Sequence, residues 1–293
     1  MSHDCRIPRI AEVAARIARV LDAAQIPNIL WGWAAVTLVG DSVGIPGEAD
    51  FVIPDSQIDS AKQAMKDAGI SMCTNGNCCK RYGITASFIH GVRLIELMHP
   101  VPAAHYHVGV DEWDVSLLRK SGILNWLPDY TVGPPATDDP NLMLSNDPKL
   151  PAFYEDVEGE GPSGPWTGVY PMKILNPNAL TKATIFLMAR DWAEPPIMTG
   201  KQSESPCEQW EEMSVHLSES HRPRVPGYIR ELEPMYQLVW DSLEFRGSPE
   251  YDMYVPLILL RELLIETGQL PSDLRKVDIT RLRGWDRLPP FEK

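Results

Sequence analysis

The chain has few cysteines and no long apolar run, and its first residues contain no apolar stretch. Its five cysteines in 293 residues are odd in number and sparse, which is typical of free thiols in a reducing compartment rather than of a disulfide framework. No segment approaches the roughly 18 consecutive apolar residues of a membrane span. The opening sequence MSHDCRIPR lacks the apolar core of a signal peptide. We therefore expect a cytoplasmic protein without a membrane partner.

Positive charge is also scarce. The chain has 27 Lys and Arg against 40 Asp and Glu, a formal net charge of −13. Such a surface repels phosphate backbones, so nucleic acid is not an expected partner. The sequence contains no Gly-x-Ser-x-Gly, Walker A or dinucleotide fingerprint, and Cys73, Cys78 and Cys79 have no matching pair at zinc spacing. The commonest hydrolase, P-loop and dinucleotide sites are therefore excluded.

Helical and strand patterns alternate in the first part of the chain and give way to helical patterns in the last. Apolar residues recur at steps of three and four over Ile10–Ile26, which predicts a helix. The other predicted helices are Trp33–Val39, a helix capped by Ser56, Asn176–Trp192, Cys207–Leu217, Tyr228–Leu243 and Tyr251–Thr267. The predicted strands are Asn28–Trp31, Asp50–Ile53, Thr85–Ile89, Val92–Met98, His105–Val110 and Trp113–Leu118. The fold class is therefore α+β.

Proline and glycine are dense between Pro128 and Pro171, which rules out long helices and central strands there. We interpret 128–172 as a connection or a lid between two parts. The domain prediction is an α/β domain over 1–127, this connection, and a helical domain over 173–293 that completes a cleft.

One local pattern carries specific chemistry. In the sequence ILWGWAA, Gly32 stands between a strand and a helix, and in GEADFVIPD the next strand carries Glu48 and Asp50. A glycine lets backbone N–H groups approach a phosphate at a helix N-terminus. Carboxylates at i and i+2 lie on one face of a strand, where they can share a divalent ion.

This pattern resembles the signature of the nucleotidyltransferase superfamily over roughly residues 9–120. The sequences LWGWAAVTLVGD, AAHYHV and SLLRKSGILNWLP are similar to a group of fungal nucleotidyltransferase-like proteins. The resemblance implies a nucleotidyltransferase-like mixed sheet and an ancestral site in which two metal ions stabilise the attacking and leaving oxygens.

The chain departs from the family pattern at three points. Trp33 stands where the family has Gly or Ser, and Glu48 replaces the first Asp of Asp-x-Asp. The carboxylate expected from a later strand has no clear counterpart: the matching position is Ser116 with Asp114 as its neighbour, or Glu96 on the preceding strand. Mg²⁺ demands near-octahedral oxygen ligation, so we expect a degraded site without metal.

The remaining candidates are aromatic or basic. Trp31 and Trp33 share a spacing that suits either core packing or the wall of an apolar pocket. His105 and His107 point to one strand face, where they bind a metal if a third ligand exists and otherwise donate to a ligand or pack against the strand. Four basic residues are candidates for holding a phosphate or donating to a carbonyl: Arg119, Lys120, Lys182 and Arg190.

These features favour a repurposed scaffold that acts without cofactor or metal on an apolar small molecule. The expected reaction is a cyclisation, pericyclic and of Diels–Alder type, or an isomerisation in fungal secondary metabolism, because such chemistry requires positioning and a few donors. The catalytic candidates are Glu48, Asp50, Lys120 and His107. The substrate-binding candidates are Trp31, Trp33, Ser116, Arg119, Lys182 and Arg190.

Two alternatives belong to other classes. The first is Mg²⁺-dependent nucleotidyl transfer from an NTP to a small molecule or a protein, with Glu48, Asp50 and either Glu96 or Asp114 holding the ion. The second is a non-catalytic protein that binds a small molecule.

Overall fold

A six-stranded mixed sheet organises the first of two units into which the chain divides, Met1–Ala179 and Leu180–Lys293. The structure is a computed structural model. It describes residues 9–40, 47–74, 88–89, 92–93, 102–109, 113–153, 163–192, 210–211, 213–214, 216–217, 232–244, 254–274 and 277–287. Within these residues the fold is α+β, as predicted.

The sheet has the order β5-β6-β2-β1-β8-β7. Its strands are β1 (Ile29–Trp31), β2 (Glu48–Ile53), β5 (Ala104–Val108), β6 (Trp113–Arg119), β7 (Leu142–Leu144) and β8 (Lys173–Leu175), and a separate hairpin consists of β3 (Phe88–Ile89) and β4 (Val92–Arg93). β2 and β6 are parallel, as are β1 and β8, whereas the other neighbouring pairs are antiparallel. β7 and β8 fall within the Pro/Gly-rich stretch and just after it, yet both pair into this sheet.

The helices whose bounds lie within the described residues are α1 (Arg9–Ala23), α2 (Trp33–Val39), α3 (Ile58–Asp67), α4 (Lys120–Ile123), α5 (Pro177–Asp191), α6 (Pro234–Glu244) and α7 (Tyr254–Glu266). α1 buries the face that its periodicity predicts, including Ile10, Ile17 and Leu21, and it contacts both α3 and β2. The side chain of Asn176 caps α5, because its Oδ1 accepts the N–H of Ala179 at 2.9 Å, as the sequence predicts.

The predicted cap of α3 is wrong. A 3₁₀ turn, Asp55–Gln57, precedes α3, and Gln57 stands at the N-cap without a side-chain hydrogen bond. Ser56 lies inside that turn, so its hydroxyl is not at the capping position. The predicted strand ends around Glu96 and the start of the helix predicted at Tyr228 lie outside the described residues.

In the second unit, a buried arginine joins two helices. Arg261 of α7 is 4% exposed, and its Nη1 donates to the carbonyls of Ala189, Arg190 and Trp192 at 2.9, 2.9 and 2.8 Å. These carbonyls belong to the last turn of α5 and the residue after it, where backbone acceptors have no partner inside the helix. A positive charge at this end also complements the helix dipole.

None of the helices in the part of the chain that the structure describes combines the length and apolarity that a membrane span requires.

Asp55 links the end of β2 to the start of α4. Its Oδ1 accepts the N–H of Ser121 at 3.0 Å, and its Oδ2 accepts the Ser121 hydroxyl at 2.6 Å. Partial burial raises the pKa of Asp55, but the two bonds from Ser121 and the charge of Arg119 outweigh it, so the pKa lies below its usual 3.8. The carboxylate is exposed, so solvent screening keeps its contribution to stability small.

We predict that Asp55→Asn lowers the free energy of unfolding by less than about 1 kcal/mol at neutral pH. A carboxylate whose pKa falls on folding stabilises the protein above its unfolded pKa. The difference from wild type should therefore vanish as the pH falls below 3.8. Urea midpoints measured across this range check the prediction, with Asp138→Asn, at an exposed turn, as the matched control. A difference that grows on acidification contradicts it.

Candidate functional site

Two rows of paired residues cross the sheet where β1 ends and where β2 and β6 begin. The first row aligns Trp31 with Asp50, Asp50 with Ser116, and Ser116 with His105. The second aligns Glu48 with Asp114 and Asp114 with His107. Residues opposite one another in adjacent strands share a face of the sheet. We call the face at this end of the sheet, which carries Glu48, Asp50 and Asp114, the acidic end.

Gly32 closes against the acidic end from β1. It is the N-cap residue of α2, with φ 73° and ψ −156°, a conformation that is essentially restricted to glycine. A Cβ at this position would lie 3.1 Å from Asp50 Oδ2. The turn and the carboxylate are thus packed side by side.

The third carboxylate is Asp114. Glu48 and Asp114 stand directly opposite each other on parallel strands, which lie about 4.8 Å apart. Both are half-buried, whereas Asp50 is 7% exposed. The expectation that one ligand was missing rested on the Ser116 position. The register instead provides a carboxylate one row away, in the sequence Trp113-Asp114-Val115.

Two histidines of β5 flank Asp114, which lies on β6. His107 Nδ1 lies 3.0 Å and His105 Nε2 3.4 Å from Asp114 Oδ1. The two imidazole rings meet edge to face, with centroids 4.7 Å apart. On the opposite side, His105 Nδ1 lies 3.4 Å from the Ser116 hydroxyl. Tyr106, on the other face of β5, is buried, and burial raises the pKa of its phenol to about 12, so it stays neutral.

The two tryptophans differ in access. Trp31 is 1% exposed, which agrees with the core-packing alternative, and its substrate contact stays a prediction. Trp33 is half-buried in the first turn of α2 and retains accessible surface. Ser116 is 1% exposed, and its hydroxyl lies 3.4 Å from His105 Nδ1, where it can position that ring.

Arg119 and Lys120 lie at the other end of β6. Asp114 and Arg119 are five residues apart on one strand, a separation of roughly 16 Å at 3.3 Å per residue. Lys120 begins α4, where its Nζ forms an ion pair with Asp129 Oδ1 at 2.8 Å. The structure therefore does not bring these two cations to the acidic end, because a strand holds its two ends apart.

Lys182 and Arg190 belong to the second unit, where both form ion pairs. Lys182 Nζ lies 2.6 Å from Glu233 Oε1 and 5.2 Å from the centre of the Tyr236 ring. Arg190 contacts both oxygens of Asp191, at 2.6 and 2.8 Å. Asp191 also accepts the indole N–H of Trp210 at 2.8 Å. The Lys182 pair thus joins α5 to the residue that precedes α6, whereas Arg190 pairs with its own neighbour on α5.

A buried lysine that the sequence patterns did not single out lies on β8. Lys173 is 5% exposed, its Nζ donates to the carbonyl of Gly133 at 2.8 Å, and burial lowers its pKa. It lines a cavity of about 330 Å³ whose other walls come from residues 127–142. All three residues of β8 are buried, so the strand has no alternation of buried and exposed residues that would have singled out Lys173.

No family model matches the chain, and neither a curated protein nor a solved structure matches it significantly.

Proposed function

We propose that the first unit catalyses nucleotidyl transfer from an NTP to a small-molecule or protein acceptor, with a divalent cation bound at the acidic end. The observation that carries the proposal is the register of β1, β2 and β6. It gathers Glu48 and Asp50 of β2 and Asp114 of β6 on one face of two neighbouring strands, beside the Gly32 turn that follows β1. This constellation supports a nucleotidyltransferase-like site better than an apolar pocket.

The donor set fits a divalent cation. Carboxylate oxygens are the ligands that Mg²⁺ prefers, and Mg²⁺ usually binds proteins through a few carboxylates together with substrate phosphates. Three carboxylates close together also repel one another and repel a triphosphate, and a cation relieves both repulsions. When bound, the ion would neutralise charge on the phosphates and activate the acceptor oxygen.

The chain's own residues then have distinct tasks. Glu48, Asp50 and Asp114 hold the cation, and Asp50 is kept in place by its burial against Gly32. The glycine leaves room beside Asp50 that any side chain would fill. A net charge of −13 disfavours a nucleic-acid acceptor, so a small hydroxyl or amine compound, or a protein, is the acceptor class.

The test is a melting experiment on the full chain with each of the four NTPs, with Mg²⁺ and with EDTA. A ligand that binds the native state stabilises it by about 2.7 kcal/mol at 100 times its Kd. We expect a rise in Tm with Mg²⁺ and nucleotide together, and none with nucleotide in EDTA. Absence of a shift with every nucleotide contradicts the proposal. Transfer itself is followed with NTPs radiolabelled at the α-phosphate.

One observation favours a second candidate, the metal-free cyclase or isomerase for an apolar substrate. Trp33 stands half-buried directly after Gly32, where a bulky indole narrows the space for a phosphate and offers an apolar surface instead. This candidate requires no cation, so the same melting experiment leaves it in place if no nucleotide binds.

A further inference from the structure

Three donor atoms from two neighbouring strands converge beside the carboxylates of the acidic end. His105 Nε2 and His107 Nδ1 lie 3.4 and 3.0 Å from one atom, Asp114 Oδ1. One donor atom from each of the three residues lies within 4.8 Å of the other two. Ligands that share an ion at about 2.0–2.2 Å from it lie roughly 3–4 Å from one another. The spacing is therefore close to that of a metal-ligand set.

We propose that His105, His107 and Asp114 form a binding site for a divalent transition-metal ion, of which Zn²⁺ suits the donors best. Imidazole nitrogen favours Zn²⁺ and its neighbours in the first transition row, whereas Mg²⁺ prefers oxygen ligands. Two histidines and one carboxylate are also the three protein ligands of many catalytic zinc sites. This site does not rest on the proposed nucleotidyl transfer, although the two share Asp114.

The backbone explains why these three side chains meet. Residues at i and i+2 of a strand project from one face, so His-x-His in β5 places both rings on the same side. β6 runs antiparallel to β5, with Asp114 opposite His107 and Ser116 opposite His105. The site thus needs only two adjacent strands, and its third ligand was not visible in the sequence because strand register was required to find it.

Support around His105 matches that of a metal ligand. A ligating histidine is usually held through its other ring nitrogen, and His105 Nδ1 lies 3.4 Å from the Ser116 hydroxyl while Nε2 faces Asp114. The carbonyl of His105 also accepts the N–H of Cys73 at 2.8 Å. His105 is therefore constrained on both its ring and its backbone.

Exposure is graded across the site. The side chain of His105 is 8% exposed, against 28% for His107 and 25% for Asp114. A site anchored on a buried ligand and open on one side retains coordination positions for water or an anionic ligand, as catalytic sites do and closed structural sites do not.

The test uses Co²⁺, a coloured substitute for Zn²⁺, titrated into the metal-free full chain. We expect one equivalent to bind with visible d–d absorption, to be displaced by Zn²⁺ and to resist excess Mg²⁺. His107→Ala should weaken binding by more than the roughly 10–100-fold that loss of a supporting residue costs, and Ser116→Ala should fall within that range. His216→Ala, in the second unit, is the matched control and should bind as wild type.

Several results would overturn the site: no binding of Co²⁺, displacement by Mg²⁺ as readily as by Zn²⁺, or wild-type affinity in His107→Ala. If His107→Ala does not fold, His107→Gln and the wild-type competition data decide the question. Glu48→Gln separates the two proposals. It should retain Co²⁺ binding while losing nucleotidyl transfer, and a variant that loses both shows that the ion belongs to the carboxylates.

Discussion

Glu48→Gln is expected to reduce nucleotidyl transfer by roughly 10³-fold or more. A neutral amide binds the divalent cation more weakly than a carboxylate does, and that cation stabilises the negative charge of the transition state. The substitution is nearly isosteric, and Glu48 is only half-buried at the start of β2, so the fold should survive. Transfer from radiolabelled NTP, with Tm measured in parallel, checks the result. Asp50→Asn should behave alike in the activity assay.

Trp33→Ala distinguishes nucleotidyl transfer from metal-free catalysis on an apolar substrate. Under nucleotidyl transfer its effect is mild or even favourable, because removing the indole widens the approach to Gly32. Under metal-free catalysis on an apolar substrate the order reverses: Trp33→Ala removes about 2–4 kcal/mol of ligand contact and Glu48→Gln changes little. An active Glu48→Gln paired with an inactive Trp33→Ala would make the second candidate the better account.

Arg261→Met should lower the free energy of unfolding of the second unit by about 3 kcal/mol or more. The three carbonyls that Arg261 serves at the end of α5 would lose a charged donor, and each buried acceptor left without one costs about 1–3 kcal/mol. Methionine preserves much of the apolar volume of the stem, so the loss reports hydrogen bonding more than packing.

The comparison set for this experiment lies on the same helix. Arg261→Lys retains the charge but has a single-point donor in place of the guanidinium fork, so we expect an intermediate loss. Glu262→Gln, one residue along and exposed, should stay within about 0.5 kcal/mol of wild type. Denaturant melts of the three variants, followed by tryptophan fluorescence, check the order. If Arg261→Met is as stable as Glu262→Gln, the capping role of Arg261 is contradicted.

Local patterns predicted the pieces of the acidic end but not its assembly. Gly32 after an apolar strand, and Glu48 and Asp50 two residues apart, were readable because each depends on neighbours in sequence. The part played by Asp114 depends on how β6 is aligned against β2 and β5, and a shift of a single residue would move it to the other face. Strand register across distant segments is a tertiary property that no short window contains.

The same limitation explains in part why the sequence grouped Arg119 and Lys120 with the carboxylates. Arg119 ends β6 and Lys120 follows it. Their distance from Asp114 follows from the length of the strand, but their distance from Glu48 and Asp50 depends on the parallel pairing of β6 with β2, which composition does not reveal. The predicted N-cap at Ser56 is wrong for a local reason instead: a 3₁₀ turn, Asp55–Gln57, lies between β2 and α3, and Ser56 is inside that turn.

The parallel pairing of β2 with β6 also bears on how the protein folds. At the far end of that pair, the contact between Asp55 and Ser121 joins residues 66 positions apart, and chain closure over such a length precedes any gain from the pairing. Contacts of this range slow folding. The proposed cation binding should therefore appear late in refolding, after the helical signal of α1. The time at which a cation first binds would then report when β6 pairs with β2.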